Sequence, residues 1–261
     1  MLVAKSPPLH APNLLGRNNF PFSMEKCGLY LPLWQEDMQG SSLISYDPAH
    51  YVWSAIGTTT WGQQGRLFDS IDDWLGHATK VNFDWMHGAV DATGFQWTVL
   101  VWVKLTNPES DTRQFYFANT AANTTNVGVA VYFDDRSSTG DSRRLELLIV
   151  NGSDYLAFLI SADNVYPNDT ASHLLAFTYN QAPATGNANI YVDSALVATG
   201  NKSANEPSAA TSTRTPHIGI DGSEAAVNAF GGVMGEMTIL RRELLLPEIQ
   251  NYQQTTRWRY Q

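Results

Sequence analysis

Cysteine is nearly missing from this chain of 261 residues; Cys27 is the only one. An intramolecular disulfide is therefore excluded, and the lone thiol reads as a small buried hydrophobe. Charge is scarce as well, at 16% of residues, below the usual quarter, so the surface has to rely on Thr, Ser, Asn and Gln. What charge there is leans acidic, with a net −9, which repels phosphate backbones and argues against a nucleic-acid partner. No stretch approaches the roughly 20 apolar residues a membrane helix needs, so membrane insertion is not expected. Met1 to Pro12 lacks the apolar run of a signal peptide, and secretion by that route is not expected. Catalytic signatures are missing too. No strand carries paired carboxylates at alternate positions: Glu146 and Glu236 each stand alone, and the adjacent Asp72 and Asp73 point to opposite faces. There is no Gly-x-Ser-x-Gly elbow, and no two of the six histidines have the spacing of a zinc motif.

What is present is an apolar fraction of 43%, enough for a sizeable core. From Gly28 onward the pattern has a period of two. The clearest run is Trp97 to Leu105, whose Trp97, Val99, Val101, Val103 and Leu105 share one face and should line a core. Leu100 and Trp102 lie on the other face, so that side is partly covered too. Further strands are expected over Leu67–Leu75, Gln114–Ala118, Val127–Phe133, Arg144–Val150, Tyr155–Ile160, Leu174–Tyr179, Asn189–Asp193, Leu196–Thr199 and Gly232–Leu240. The links are rich in Gly, Asn, Asp and Ser; Asn151-Gly152 marks a tight hairpin. Pro247 and Glu248 begin the one convincing helix, with Ile249 and Tyr252 positioned to face the sheet. The prediction is all-β: an antiparallel β-sandwich with one short C-terminal helix and an extended N-terminal arm. Residues 1–27 form the arm and 28–261 one domain.

The order of segments resembles the laminin G-like, concanavalin A-like lectin/glucanase superfamily, of the type found in phage and bacterial proteins. Gly28-Leu29-Tyr30-Leu31-Pro32-Leu33 is similar to its opening strand, and Gly65 to Trp74 to its "G-x-x-F-x-G-x-D-D-Y" segment. Phe95 to Lys104 resembles "F-T-V-x-x-W-V-K". His173 to Tyr179 followed by Ile190 to Ala198 resembles "H-H-V-A-F-T-Y … L-Y-V-D-G-x-L-V-A". His217-Ile218-Gly219 and Phe230 to Met237 are similar to its last strands. The likeness implies a concanavalin A-like jelly roll. It leaves activity open, because this fold hosts lectins, hydrolases and adhesion modules. Ser70 and Ser194 replace expected turn glycines, Leu246 stands where a helix cap is usual, and the arm has no counterpart.

Candidate functional residues fall in three groups. Trp53, Trp61 and Tyr51 lie outside the best strands and are candidates for stacking on a glycan; the competing reading is that Tyr46 to Trp61 buries its own aromatics as a lid. Asp134, Asp135 and Asp141 could supply oxygens to calcium, and Asp163, Asn164, Asn168 and Asp169 form a second such loop, though Asp and Asn are also turn formers. No cofactor is required. Pro7, Pro8, Leu14, Phe20 and Phe22 make an arm too apolar for a free tail, which should lie along its own domain or a neighbouring subunit. These features lead to the expectation of a non-catalytic structural or adhesive protein. A phage virion component is favoured, as capsid decoration or a tail-associated protein made in the host cytoplasm. It would contact other virion or self subunits, as a homo-oligomer, and surface glycans are further candidate partners. A carbohydrate-binding lectin is the alternative, and a glycoside hydrolase ranks last.

Overall fold

The computed structural model of the chain describes residues 20–121, 124–136, 142–225 and 228–261. In chain order its strands are β1 (Cys27–Leu31), β2 (Ser42–Ile44), β3 (Val52–Ile56), β4 (Thr60–Gly62), β5 (Gly65–Asp69), β6 (Trp74–Gly76), β7 (Gln96–Leu105) and β8 (Arg113–Ala118). They continue with β9 (Val127–Asp134), β10 (Arg144–Asn151), β11 (Tyr155–Ile160), β12 (His173–Asn180), β13 (Ala188–Val192), β14 (Ala195–Gly200), β15 (His217–Ile218) and β16 (Gly231–Leu240). The α-helix α1 spans Leu246–Thr256, and a 3-10 turn, Arg257–Arg259, follows it.

The strands pair antiparallel in two eight-stranded sheets. Sheet A runs β14-β13-β12-β7-β16-β5-β4, with β1 also on β16; sheet B runs β11-β10-β9-β8-β15-β6-β3-β2. Alternation on β7 does what its sequence implies. Trp97, Val99, Val101, Val103 and Leu105 enter the core between the sheets, while Leu100 and Trp102 join a second apolar cluster on the outer face of sheet A. That outer cluster is capped by α1, whose Ile249 and Tyr252 are fully buried, and by Tyr260 beyond it. Cys27 is also part of it. Burial and the nearby Asp47 push its thiol up, which fits an inert apolar residue.

The span expected as a single strand over Leu67–Leu75 divides. β5 ends at Asp69 in sheet A, and β6 begins at Trp74 in sheet B. The link is a turn in which Ser70 takes a positive φ of 66° and Asp69 Oδ1 accepts the backbone N–H groups of Ile71 and Asp72. Tyr46 to Trp61, read as a lid, instead contributes β3 and the start of β4, with β2 just before it. The hairpin joining β13 to β14 turns on Asp193 and Ser194, both at positive φ (48° and 65°), so Ser194 keeps the left-handed geometry without glycine. At α1, Glu248 accepts the Leu245 N–H at 3.0 Å and so supplies the cap its neighbours cannot. Among the described residues, no helix is long and apolar enough to cross a membrane.

Candidate functional site

The three aromatics proposed for glycan stacking do not meet on one surface. Trp53 lies in β3 with its side chain inward; it is fully buried against His77 and Phe83. Period-two alternation decides this, since its neighbours Val52 and Ser54 take the exposed face. Trp53 therefore cannot stack on a ligand. Tyr51 is half-buried against the same two rings and lines a shallow cleft of about 450 Å³ with His50 and Asn82. Trp61 is half-buried in β4, on sheet A, and packs against the main core.

The calcium candidates are corrected in part. Asp134 is fully buried and its carboxylate is held by two guanidiniums, Arg113 Nε at 3.0 Å and Arg136 Nη2 at 2.7 Å. Burial opposes its charge, but those hydrogen bonds outweigh burial and lower its pKa. A carboxylate neutralised this way has no need of a cation. Asp135 accepts the Arg143 N–H at 2.9 Å, and Asp141 lies outside the described residues. In the second loop Asp163 pairs with Arg144, Asn164 accepts from Ser142 and Arg143, Asn168 donates to Glu109 and Asp169 binds His173. The carboxylates of Asp69, Asp72 and Asp73 cluster within 4.8 Å, but those of Asp69 and Asp73 accept local backbone N–H groups and serve the turn between the sheets.

Of the arm, Pro7, Pro8 and Leu14 lie outside the described residues. Phe20 and Phe22 are half-buried on this chain's own outer cluster: Phe20 meets Tyr30 at 4.5 Å and Phe22 stacks on Tyr252 at 5.4 Å.

The outer face of sheet A carries features that the sequence alone did not single out. Glu236, on β16, is fully buried and accepts hydrogen bonds from Arg259 Nη1 at 2.8 Å, Trp34 Nε1 at 3.0 Å and the Tyr252 hydroxyl at 2.5 Å. It is thus a clamp for the end of the chain, and its carboxylate is not free to act as an acid or base. Arg259 in turn lies between two indoles, with its guanidinium carbon 4.7 Å from the Trp34 ring and 5.3 Å from that of Trp258. Trp258 also donates Nε1–H to the Thr255 carbonyl at 3.0 Å. Its indole is nonetheless 62% exposed, more than any other aromatic side chain among the described residues. A large apolar ring held in place and left in water is a ready contact surface.

The 3-10 turn that carries Trp258 also borders a cleft of about 490 Å³. Trp102 and Lys104 of β7 line it on the sheet side, His173 and Asp193 at one end, and Arg257 and Tyr260 from the turn. Tyr260 stacks on Trp102 at 4.7 Å, and Trp102 donates Nε1–H to Thr256 at 2.9 Å, so these walls are fixed. His173 is bound on both nitrogens, by Asp193 at 2.6 Å and Asp169 at 2.9 Å. Burial opposes its charge, yet the two carboxylates outweigh burial and raise its pKa. The signal for this region was Trp258 between two arginines just past a helix, and Lys104 as the one charged residue of β7.

On the outer face of sheet B, register places Glu146 opposite Tyr132 and Asp134 opposite Arg144. Two neighbouring strands thus bring carboxylates to one face that neither strand pairs alone. Tyr132 donates its hydroxyl to Glu146 and stacks on Phe115 at 4.5 Å. Asp134 remains locked by its arginines, so the pair lacks a free member.

A laminin G-like family model, described as the concanavalin A-like lectin/glucanases superfamily, matches residues 79–250. None of the curated proteins matches the chain. Among solved structures, the binding domain of botulinum neurotoxin serotype D superposes with a TM-score of 0.61 at 10% identity, over 89% of this chain and 52% of that one. A Trypanosoma rangeli sialidase gives 0.57 at 13%, over 88% and 33%. Domain 4 of a GH43 extracellular arabinanase from Geobacillus stearothermophilus, in complex with arabinotriose, gives 0.57 at 12%, over 87% and 97%. The chain therefore spans about half of the neurotoxin domain and a third of the sialidase, but nearly all of the arabinanase domain. At these identities the structural likeness concerns the fold alone. The chain belongs to the concanavalin A-like lectin/glucanase superfamily, and its fold is lectin-like.

Proposed function

We propose that this superfamily member is a non-catalytic carbohydrate-binding module, and that its saccharide contacts lie on the outer face of sheet A around Trp258. One observation carries the reading: Trp258 holds its indole 62% exposed, braced by Arg259 and the Thr255 carbonyl. Burial favours covering such a ring unless a ligand covers it instead. Sugars present C–H faces that suit an indole, and the polar cleft on the same turn offers hydrogen bonds beside it. The reading is supported by the arabinanase domain seen with arabinotriose and by a botulinum binding domain seen in complex with SialylT. A non-catalytic role is supported by the engagement of Asp134 and Glu236 in ion pairs, which leaves neither to serve as acid or nucleophile. Membership of a virion, as capsid decoration or tail protein, would place the same module on a larger assembly. The described end of its arm is seated on this chain's own Tyr30 and Tyr252.

The test is glycan-array and polysaccharide binding by the wild type and by Trp258→Ala. Trp258 is exposed, so the variant should keep the wild-type melting temperature while affinity falls at least about tenfold. Unchanged binding in Trp258→Ala, or no binding to any saccharide by the wild type, refutes the reading.

A further inference from the structure

We infer that the cleft between β7 and the 257–260 turn is a subsite for an anionic substituent of the saccharide, a carboxylate or sulfate on a sugar ring, with Lys104 as its charge partner. The inference rests on the carbohydrate-binding reading and adds the chemical class of the ligand.

The argument lies in which charges are already used. Asp193 is the carboxylate facing the cleft, and its oxygens are taken: they accept from His173 Nδ1 at 2.6 Å, the Leu174 N–H at 3.0 Å and Gln253 Nε2 at 3.3 Å. Asp169, behind it, accepts from His173 and the Ala171 N–H. The hydrogen-bonding capacity of these two carboxylates is engaged within the protein, and a protonated His173 offsets one of their two charges. The cationic capacity is not engaged in this way. Lys104 is half-buried on the cleft floor and has no ion pair or side-chain hydrogen bond among the described residues. Arg257 reaches the rim, where only the neutral amide oxygen of Gln261 accepts from it, at 2.9 and 3.0 Å. A cleft of about 490 Å³ that presents the unpaired Lys104 ammonium and the Arg257 guanidinium, beside an aromatic platform, is complementary to a sugar acid or sugar sulfate. A plain neutral sugar would leave the Lys104 ammonium without a counter-charge.

The experiment is an NMR titration of the folded protein with glucuronate, glucose 6-sulfate and glucose, following the indole N–H signals of Trp102 and Trp258 and the His173 ring. Glucuronate or glucose 6-sulfate is expected to shift Trp102 and His173, and glucose at equal concentration is not. Which anion acts more strongly identifies the source. Lys104→Met keeps the packed stem and is expected to weaken anion binding about tenfold, with loss of its salt dependence. Three results overturn the inference: equal cleft shifts from all three sugars, no cleft shift from either anion, or wild-type affinity in Lys104→Met. If glucose shifts Trp258 while neither anion moves the cleft signals, carbohydrate binding stands and the anionic subsite falls. If no sugar moves either region, both fall.

Discussion

Arg259→Met tests the clamp that holds the platform. The substitution leaves the Glu236 carboxylate buried with Tyr252 and Trp34 as donors but without its counter-charge. Both partners of this pair are nearly inaccessible, with side-chain exposures of 3% and 1%. Removing one member of such a pair costs about 3–5 kcal/mol, because the remaining charge stays desolvated. Against a total stability of about 5–15 kcal/mol this is a large share. For a chain of this size it lowers the melting temperature by roughly 6–20 °C. Glu236→Gln should cost a similar amount by stranding the guanidinium. The double variant Glu236→Gln/Arg259→Met removes both charges, and its loss should fall short of the sum by at least about 2 kcal/mol. Urea unfolding of the four proteins closes the cycle. Binding separates the structural role from the functional one. The double variant should recover much of its stability yet bind saccharide more weakly, since Arg259 no longer braces Trp258. The reasoning is refuted if Arg259→Met loses less than about 1 kcal/mol, or if the two single losses simply add.

Two further outcomes are expected. His173 has a folded-state pKa above its ordinary value, so the stability it contributes is complete below about pH 6.5 and is lost as pH rises through the folded pKa. The difference in unfolding free energy between wild type and His173→Gln should therefore shrink from pH 6.5 upward; a difference that is flat over pH 6–9 rules this out. Tyr116 has a fully buried hydroxyl without a partner, so Tyr116→Phe should change stability by less than about 0.5 kcal/mol or raise it, whereas Tyr252→Phe, which strips a donor from Glu236, should cost about 1–3 kcal/mol. Denaturant melts of the two variants check this, and a loss at Tyr116 equal to that at Tyr252 contradicts it.

Most of the sandwich was legible because alternation is a local signal. β7 through β14 and β16 lie within a residue or so of their expected bounds, since each carries enough alternating apolar residues to show which face is inward. β2, β3, β4 and β15 were not legible. They have two to five residues each, too few for a period to show; β3 and β15 exist because the distant β6 completes their hydrogen bonds, and β4 because it pairs with β5 across a two-residue turn. The same limit misplaced Trp53. Without β3 as a strand, nothing in Tyr51-Val52-Trp53 says that the indole points inward. Asp134 failed for a different reason: one of its two arginine partners, Arg136, is close in sequence, but the other, Arg113, is 21 positions away and meets it only through the pairing of β8 with β9.

The candidate site was hardest to see because it has no sequence motif of its own. Trp34, Glu236, Arg259 and Trp258 come from both ends of the chain, and Lys104, His173 and Asp193 from three different strands or turns. Each has an ordinary local explanation: a strand-end lysine, a core histidine, a hairpin aspartate. What makes them a site is a balance that only the folded arrangement sets. The carboxylates Asp193 and Asp169 are hydrogen-bonded within the protein, while Lys104 is left without a partner among the described residues. The family match leaves function open in the same way, because the strands that carry the likeness build the sandwich, while Trp258 and its turn lie beyond the matched residues 79–250. Specificity in such a module is therefore expected to reside in Arg257 and Trp258, the exposed positions just after α1, which can change without disturbing the core as the buried Arg259 and Tyr260 cannot.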